Sequence, residues 1–176
     1  MQKSRYADLL VADYRLSMPG DDDLPSRLLK DLLKHAECPV LIAPEGDLPL
    51  ANVTFAYDGS QSSMFAIRQF YHCLPHLRSL PLVVFNIIDD KKQVSDVEID
   101  LLDGWLSLNV YRYSFQELTG NASNALLSWF LVNSEQSYSL LVAGAYGRNA
   151  ISNFLKAPTL DVPIKSLDIP VFITHL

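Results

Sequence analysis

No basic stripe runs through this chain. Of its 176 residues, 14 are Lys or Arg and 20 are Asp or Glu, for a formal net charge of −6. The basic residues are scattered, whereas a protein that grips a phosphate backbone concentrates them on one face, so a nucleic-acid partner is not expected. No apolar run reaches the roughly 18 residues of a membrane helix, and a membrane partner is not expected either. The opening MQKSRYADLL is too short and too polar for a secretory signal, which predicts a soluble cytoplasmic protein. Cysteine is scarce: Cys38 and Cys73 stand far apart, outside CxxC spacing, and read as buried thiols in a reducing compartment. Charge is also sparse, 19% against 49% apolar residues, so the chain can bury a sizeable core and is not of the disordered class. The densest charge run, Asp21-Asp22-Asp23, has no further ligand spacing around it and reads as a solvated loop.

What is present is a partial repeat. YADLLVADYR (6–15) resembles YSLLVAGAYG (138–147), and ECPVLIAP (37–44) resembles IPVFITHL (169–176). Each pair brackets a helical stretch. The first unit therefore reads strand, helix, strand, with LPSRLLKDLLKHA (24–36) as the helix. Pro25 suits its first turn, and Pro39 turns the chain into the next strand. PEGDLP (44–49) is dense in turn residues and reads as a linker.

The second unit is longer. NVTFAY is a strand, DGSQSSMFAIRQFYHCLP a turn and helix, and LPLVVFNIID an apolar strand of the kind buried on both faces. A short helix near Val94–Leu102, a strand near Leu108–Tyr113, and a helix in TGNASNALLSWFLVNSE with Asn121 or Ser123 as N-cap follow. The strand YSLLVAG, a helical region from Asn149 to Leu167, and the strand PVFITH complete it. Alternating strands and helices predict an α/β fold with a parallel sheet. The division is a half-domain over 1–44, a linker over 45–51, and a complete domain over 52–176.

Several spaced motifs, in order, resemble the universal stress protein family. VTFAYDGSQSSMFAI, LLVAGAYGRNAISNF and IPVFITH carry the likeness over about 51–176, and ADLLVADYR with CPVLIAP resembles the tail of a second such domain. The resemblance implies a doubly wound five-stranded parallel sheet of order 3-2-1-4-5, with ligands at the carboxyl ends of the strands. It further implies adenine-nucleotide contacts from Asp58 and from the backbone of Ile87, and a phosphate loop of the form Gly-x2-Gly-x9-Gly-Ser/Thr. Family domains often pair through their last strands, so the half-domain is expected to extend the sheet by laying PVLIAP beside PVFITH. That arrangement leaves an open edge at DLLVAD, which a second chain or the chain's own N-terminus is expected to cover.

The phosphate loop is degenerate. Gly144 and Gly147 match its first two glycines and the spacing to Ala157 is kept, but Ala157-Pro158 stands where glycine and a hydroxyl belong. Ala157 adds a methyl where phosphate meets bare backbone, and Pro158 offers neither an N–H nor a hydroxyl. Thr159 supplies a hydroxyl one position late. Two lost bonds to a charged group, each worth roughly 1.5–3 kcal/mol, weaken binding on the order of 100-fold or more. Lys156 and Arg148 are candidate compensating phosphate partners, or plain surface charges. Asp58 reads equally as a turn or cap residue, and the two glycines as a tight turn.

The other candidates are poorer. Ser60, Ser62 and Ser63 lack the partners of a catalytic triad and read as helix capping. His72 and His76 have i, i+4 spacing without a third metal ligand. VYRYSF alternates at strand period and reads as sheet packing. The reading is a non-enzymatic protein acting through assembly, as a homo-oligomer or with another protein, that needs no cofactor and holds ATP or AMP weakly. The alternative is a nucleotide-binding switch. A nucleotidyl-transfer ATPase is disfavoured because YDGSQSS lacks a glycine- and serine-rich phosphate loop.

Overall fold

The computed structural model describes residues 2–13, 16, 26–44, 46, 49–88, 94–119, 122–133, 138–144 and 169–174. A 3-10 turn (Gln2–Tyr6) leads into β1 (Leu10–Asp13), α1 (Arg27–His35) and β2 (Val40–Ala43). The longer unit follows as β3 (Leu50–Tyr57), α2 (Gln61–Cys73), a 3-10 turn (Pro75–Ser79), β4 (Leu82–Ile88), α3 (Asp96–Asn109), β5 (Tyr113–Thr119), α4 (Ala122–Asn133), β6 (Tyr138–Gly144) and β7 (Val171–Thr174).

All seven strands form one sheet of order β1-β2-β7-β6-β3-β4-β5. The expected 3-2-1-4-5 order is its stretch from β5 to β7. Every adjacent pair is parallel except β2 and β7, which run antiparallel with Leu41 opposite Phe172. The half-domain therefore extends the sheet through the last strand, as anticipated.

Two apolar layers sandwich the sheet, because alternate strand residues face opposite sides. On one side Leu141, Ala143, Val171 and Ile173 pack with Leu29 and Leu32 of α1 and Leu126 and Phe130 of α4. On the other, Leu140, Val142, Phe55 and Phe172 pack with Ala66, Ile67, Phe70 and Tyr71 of α2 and Leu102 and Leu106 of α3. The Phe70 ring meets Phe172 edge-on at 5.4 Å between centroids. Helix starts follow local chemistry: the Ser26 side chain accepts a bond from Leu29 N at 3.0 Å, and α1 begins at Arg27. Pro25 lies outside the described residues.

Three expectations are corrected. The strand placed near Leu108–Tyr113 begins only at Tyr113, because α3 continues to Asn109. A reciprocal Ser95–Glu98 cap starts that helix, and Leu102 and Leu106, four residues apart, bury its inner face. Ser123 is not an N-cap, since α4 already includes Ala122; Asn121 lies outside the described residues. Cys38 is buried, but Cys73 is half-buried at the end of α2, where its thiol donates to Asp8 O at 3.5 Å. The strand YSLLVAG stands as read, and Tyr113 packs on Phe115 along β5. The helical region over 149–167 and the acidic run Asp21–Asp23 lie outside the described residues.

Candidate functional site

Strand order reverses between β3 and β6, and in open α/β sheets the crevice beyond the carboxyl ends at such a point receives ligands. β3 ends there in Tyr57-Asp58-Gly59-Ser60. Asp58 Oδ1 accepts a hydrogen bond from Ser60 N at 3.0 Å, closing a tight turn. Gly59 at the turn has φ +70°, a conformation side chains resist. Ser60 is the N-cap of α2, its hydroxyl accepting from Ser63 N at 3.1 Å. The Ser63 hydroxyl donates in turn to Ser60 O at 2.8 Å, and Ser62 and Ser63 are buried. The serines thus start a helix, and the Asp58 carboxylate shapes the turn that precedes it.

Glu98 belongs to this corner, although sequence reasoning passed over it. Its Oε2 accepts from Ser95 N at 3.0 Å and from the Ser95 hydroxyl at 2.9 Å. A Cβ on Gly59 would lie 3.1 Å from that oxygen, so the carboxylate leans against the turn. The signal was legible: Ser95-Asp96-Val97-Glu98 is a Ser-x-x-Glu box before an apolar run. The buried Tyr57 phenol donates to Glu98 O at 3.5 Å. Burial first, and then the nearby Glu98 and Asp58 charges, hold it neutral by raising its pKa. Among the described residues, this corner gathers two carboxylates, those of Asp58 and Glu98.

Gly144 ends β6, and packing alone requires glycine there. A Cβ there would stand 2.4 Å from both the carbonyl carbon and oxygen of Ser62. The first turn of α2 rests directly on the Gly144 α-carbon, so the residue is glycine whatever binds nearby. Ile87 lies one residue past the end of the β3–β4 pairing, which stops at Tyr57 and Asn86, and is in register with Leu118 of β5. Two buried polar atoms near these strand ends, Asn86 Oδ1 and Thr174 Oγ1, have no hydrogen-bond partner among the described residues. Gly147, Arg148, Lys156, Ala157, Pro158 and Thr159 lie outside the described residues. Asp58, Ile87 and Gly144 are thus brought to the same end of the sheet.

His72, in the last turn of α2, and His76, in the 3-10 turn that follows, are exposed and lie away from this crevice. Among the described residues, no group of three or more His, Cys, Asp and Glu gathers as a metal site would require. None of their helices is long and apolar enough to cross a membrane.

No protein-family model and no curated protein matches the sequence. Solved structures do match it in shape. A universal stress protein from Archaeoglobus fulgidus superposes with a TM-score of 0.62 at 14% identity, covering 99% of this chain and 64% of its own. A protein described as a putative universal stress protein from Pseudomonas aeruginosa gives 0.59 at 13% identity, covering 99% and 65%. A protein of unknown function from Pseudomonas aeruginosa gives 0.56 at 12%, with the same coverage. This chain therefore spans a little under two thirds of the length of the structures it matches. Its order of strands, its two helical layers and these superpositions agree: the chain has the universal stress protein fold.

Proposed function

We propose that this chain is a non-enzymatic stress-response-type protein of the cytoplasm that acts through assembly or partner binding, with its nucleotide site weakened. The observation that carries this reading is the engagement of the strand-end residues in the fold itself. The Gly144 α-carbon supports Ser62, and the Asp58 carboxylate accepts from Ser60 N. The Ala157-Pro158 pair in the loop sequence points the same way, having lost two donors that a phosphate requires. Titration calorimetry with ATP, with and without magnesium, tests it. No heat and no thermal shift are expected. Micromolar affinity or ATP turnover overturns it.

One observation favours a second reading, an ATP- or AMP-binding switch using Asp58, Ile87, Gly144, Gly147 and Thr159. Among the described residues Asn86 Oδ1 and Thr174 Oγ1 are buried without partners, and buried polar atoms ordinarily have one. A nucleotide that bonded either atom would remove that cost. On this reading a bulky residue in place of Gly147 abolishes nucleotide binding; unchanged affinity removes the reading.

A further inference from the structure

The sequence repeat is also a repeat of geometry. Leu10 is in register with Val40 as Leu141 is with Val171. Leu10 N donates to Pro39 O at 2.9 Å, and Leu141 N donates to Pro170 O at 2.9 Å. The two halves meet with Leu41 opposite its own counterpart, Phe172, while Val40 faces Ile173 and Ile42 faces Val171. Such self-complementary pairing is that of a two-fold interface, here inside one chain. A pseudo-two-fold axis therefore passes between Leu41 and Phe172.

The axis exposes an asymmetry. On the β6 side, β3 pairs along the strand and α2 covers the face, leaving Leu140 2% and Val142 1% exposed. The counterparts on β1 are Leu9 and Val11. Leu9 is half-buried, and Val11 is 63% exposed. Among the described residues β1 pairs only with β2. The N-terminal turn does not serve as cover: Ser4 Oγ accepts from Glu37 N at 3.1 Å, and Arg5 is bonded to the Glu37 carboxylate, so this turn is pinned at the start of β2 and adds no strand to the edge.

Resting on the assembly reading above, we infer that the β1 edge and its Leu9–Val11 face receive a strand–helix partner unit that residues 1–176 do not themselves supply. The partner's strand runs parallel to β1 and is apolar on both faces, as β3 is. Its helix follows and lays an apolar face over Val11, as α2 does over Val142. A second copy paired β1 to β1 is the poorer occupant. Four residues of strand bury far less than the roughly 1,000 Å² a stable interface needs, and Val11 stays uncovered. The second copy's own β3 and α2 are already built into its sheet. One difference shapes the partner: Asp13 stands where the other half has Gly144. The partner's helix therefore cannot seat its first turn as closely as α2 does, and a carboxylate meets its positive N-terminal end.

Amide hydrogen exchange on the full chain tests this. Because Leu10 N–H points to β2, Val11 N–H points to the open edge. In dilute monomer the Val11 amide is expected to exchange at close to the unprotected rate, and Val142 far more slowly. The full chain is then prepared with a second copy of its residues 45–137 joined ahead of Met1, supplying β3 and α2 at high effective concentration. Val11 exchange is expected to slow by about 100-fold or more. A folded fusion that leaves Val11 unprotected, or a fusion that cannot fold while the chain alone does, overturns the inference. Val11 protection in dilute monomer overturns it in favour of cover from the chain itself. Protection that grows with concentration overturns it in favour of a second copy. Tight ATP binding would sink the weakened-site reading and leave each of these outcomes unchanged.

Discussion

Replacing Gly144 by alanine separates the two explanations for that glycine. The new methyl would sit 2.4 Å from the Ser62 carbonyl carbon and oxygen. Carbon atoms in comfortable contact stand about 3.5–4.0 Å apart, so α2 and β6 must part by about 1 Å. Overpacking of this kind costs about 1–3 kcal/mol. The atoms met are backbone in the first turn of a buried helix, which places Gly144→Ala at about 3 kcal/mol, or about 6–12 °C in Tm for a chain of this size. Urea unfolding measures it, read as a lower midpoint with an unchanged slope. Ser62→Ala in the same chain should not restore stability, because the clash is with backbone and not with the hydroxyl. A loss below about 0.5 kcal/mol, or full rescue by Ser62→Ala, refutes the packing argument. If the glycine instead served only a phosphate, Gly144→Ala would leave unfolding unchanged and alter nucleotide affinity alone.

Tyr71→Phe should be neutral or stabilising near pH 7, because the Tyr71 hydroxyl is buried without a partner among the described residues and an unpaired buried hydroxyl costs about 1–3 kcal/mol. Burial raises the Tyr71 pKa above its ordinary 10.0, with Arg78 pulling weakly the other way. The folded state therefore keeps a proton that the unfolded chain loses, so stability is full below about pH 10 and falls as pH rises above it; Tyr71→Phe should flatten that fall, and an unaltered alkaline unfolding profile counts against it. Ser60→Ala removes the α2 cap and should cost about 1 kcal/mol in denaturant unfolding, with Ser60→Asp retaining most of it. Phe172→Ala should cost about 3–5 kcal/mol and lower one cooperative transition, since Phe172 is fully buried under Phe70 and lies at the β2–β7 joint. Two separate transitions would show that the halves are not one sheet energetically.

How much was legible depends on where the signal lay. YSLLVAG reads as a strand because it is an apolar run bounded by turn residues, and it is one over Tyr138–Gly144. The pairing of PVLIAP with PVFITH was also legible, because both segments repeat one pattern and a repeat can meet itself across a two-fold axis. The end of α3 was not. Leu108, Asn109 and Val110 carry neither Gly nor Pro to stop a helix, and the reading shortened it by seven residues. Glu98 was missed although its capping box is plain in sequence, because a local motif does not say that the helix it starts will lean on the Gly59 turn.

The sequence by itself determined the alternation of elements, the apolar strands buried on both faces, the serine caps and the repeat. Each depends on residues within a few positions of one another, or on composition. Only the tertiary structure decided why Gly144 must be glycine, since its neighbour Ser62 is distant in the chain and reaches it only when α2 folds back over β6. Only the tertiary structure decided that Val142 is buried while Val11, in the same local sequence, is exposed. Burial belongs to what packs against a strand, and the two halves of the repeat differ in what packs against them.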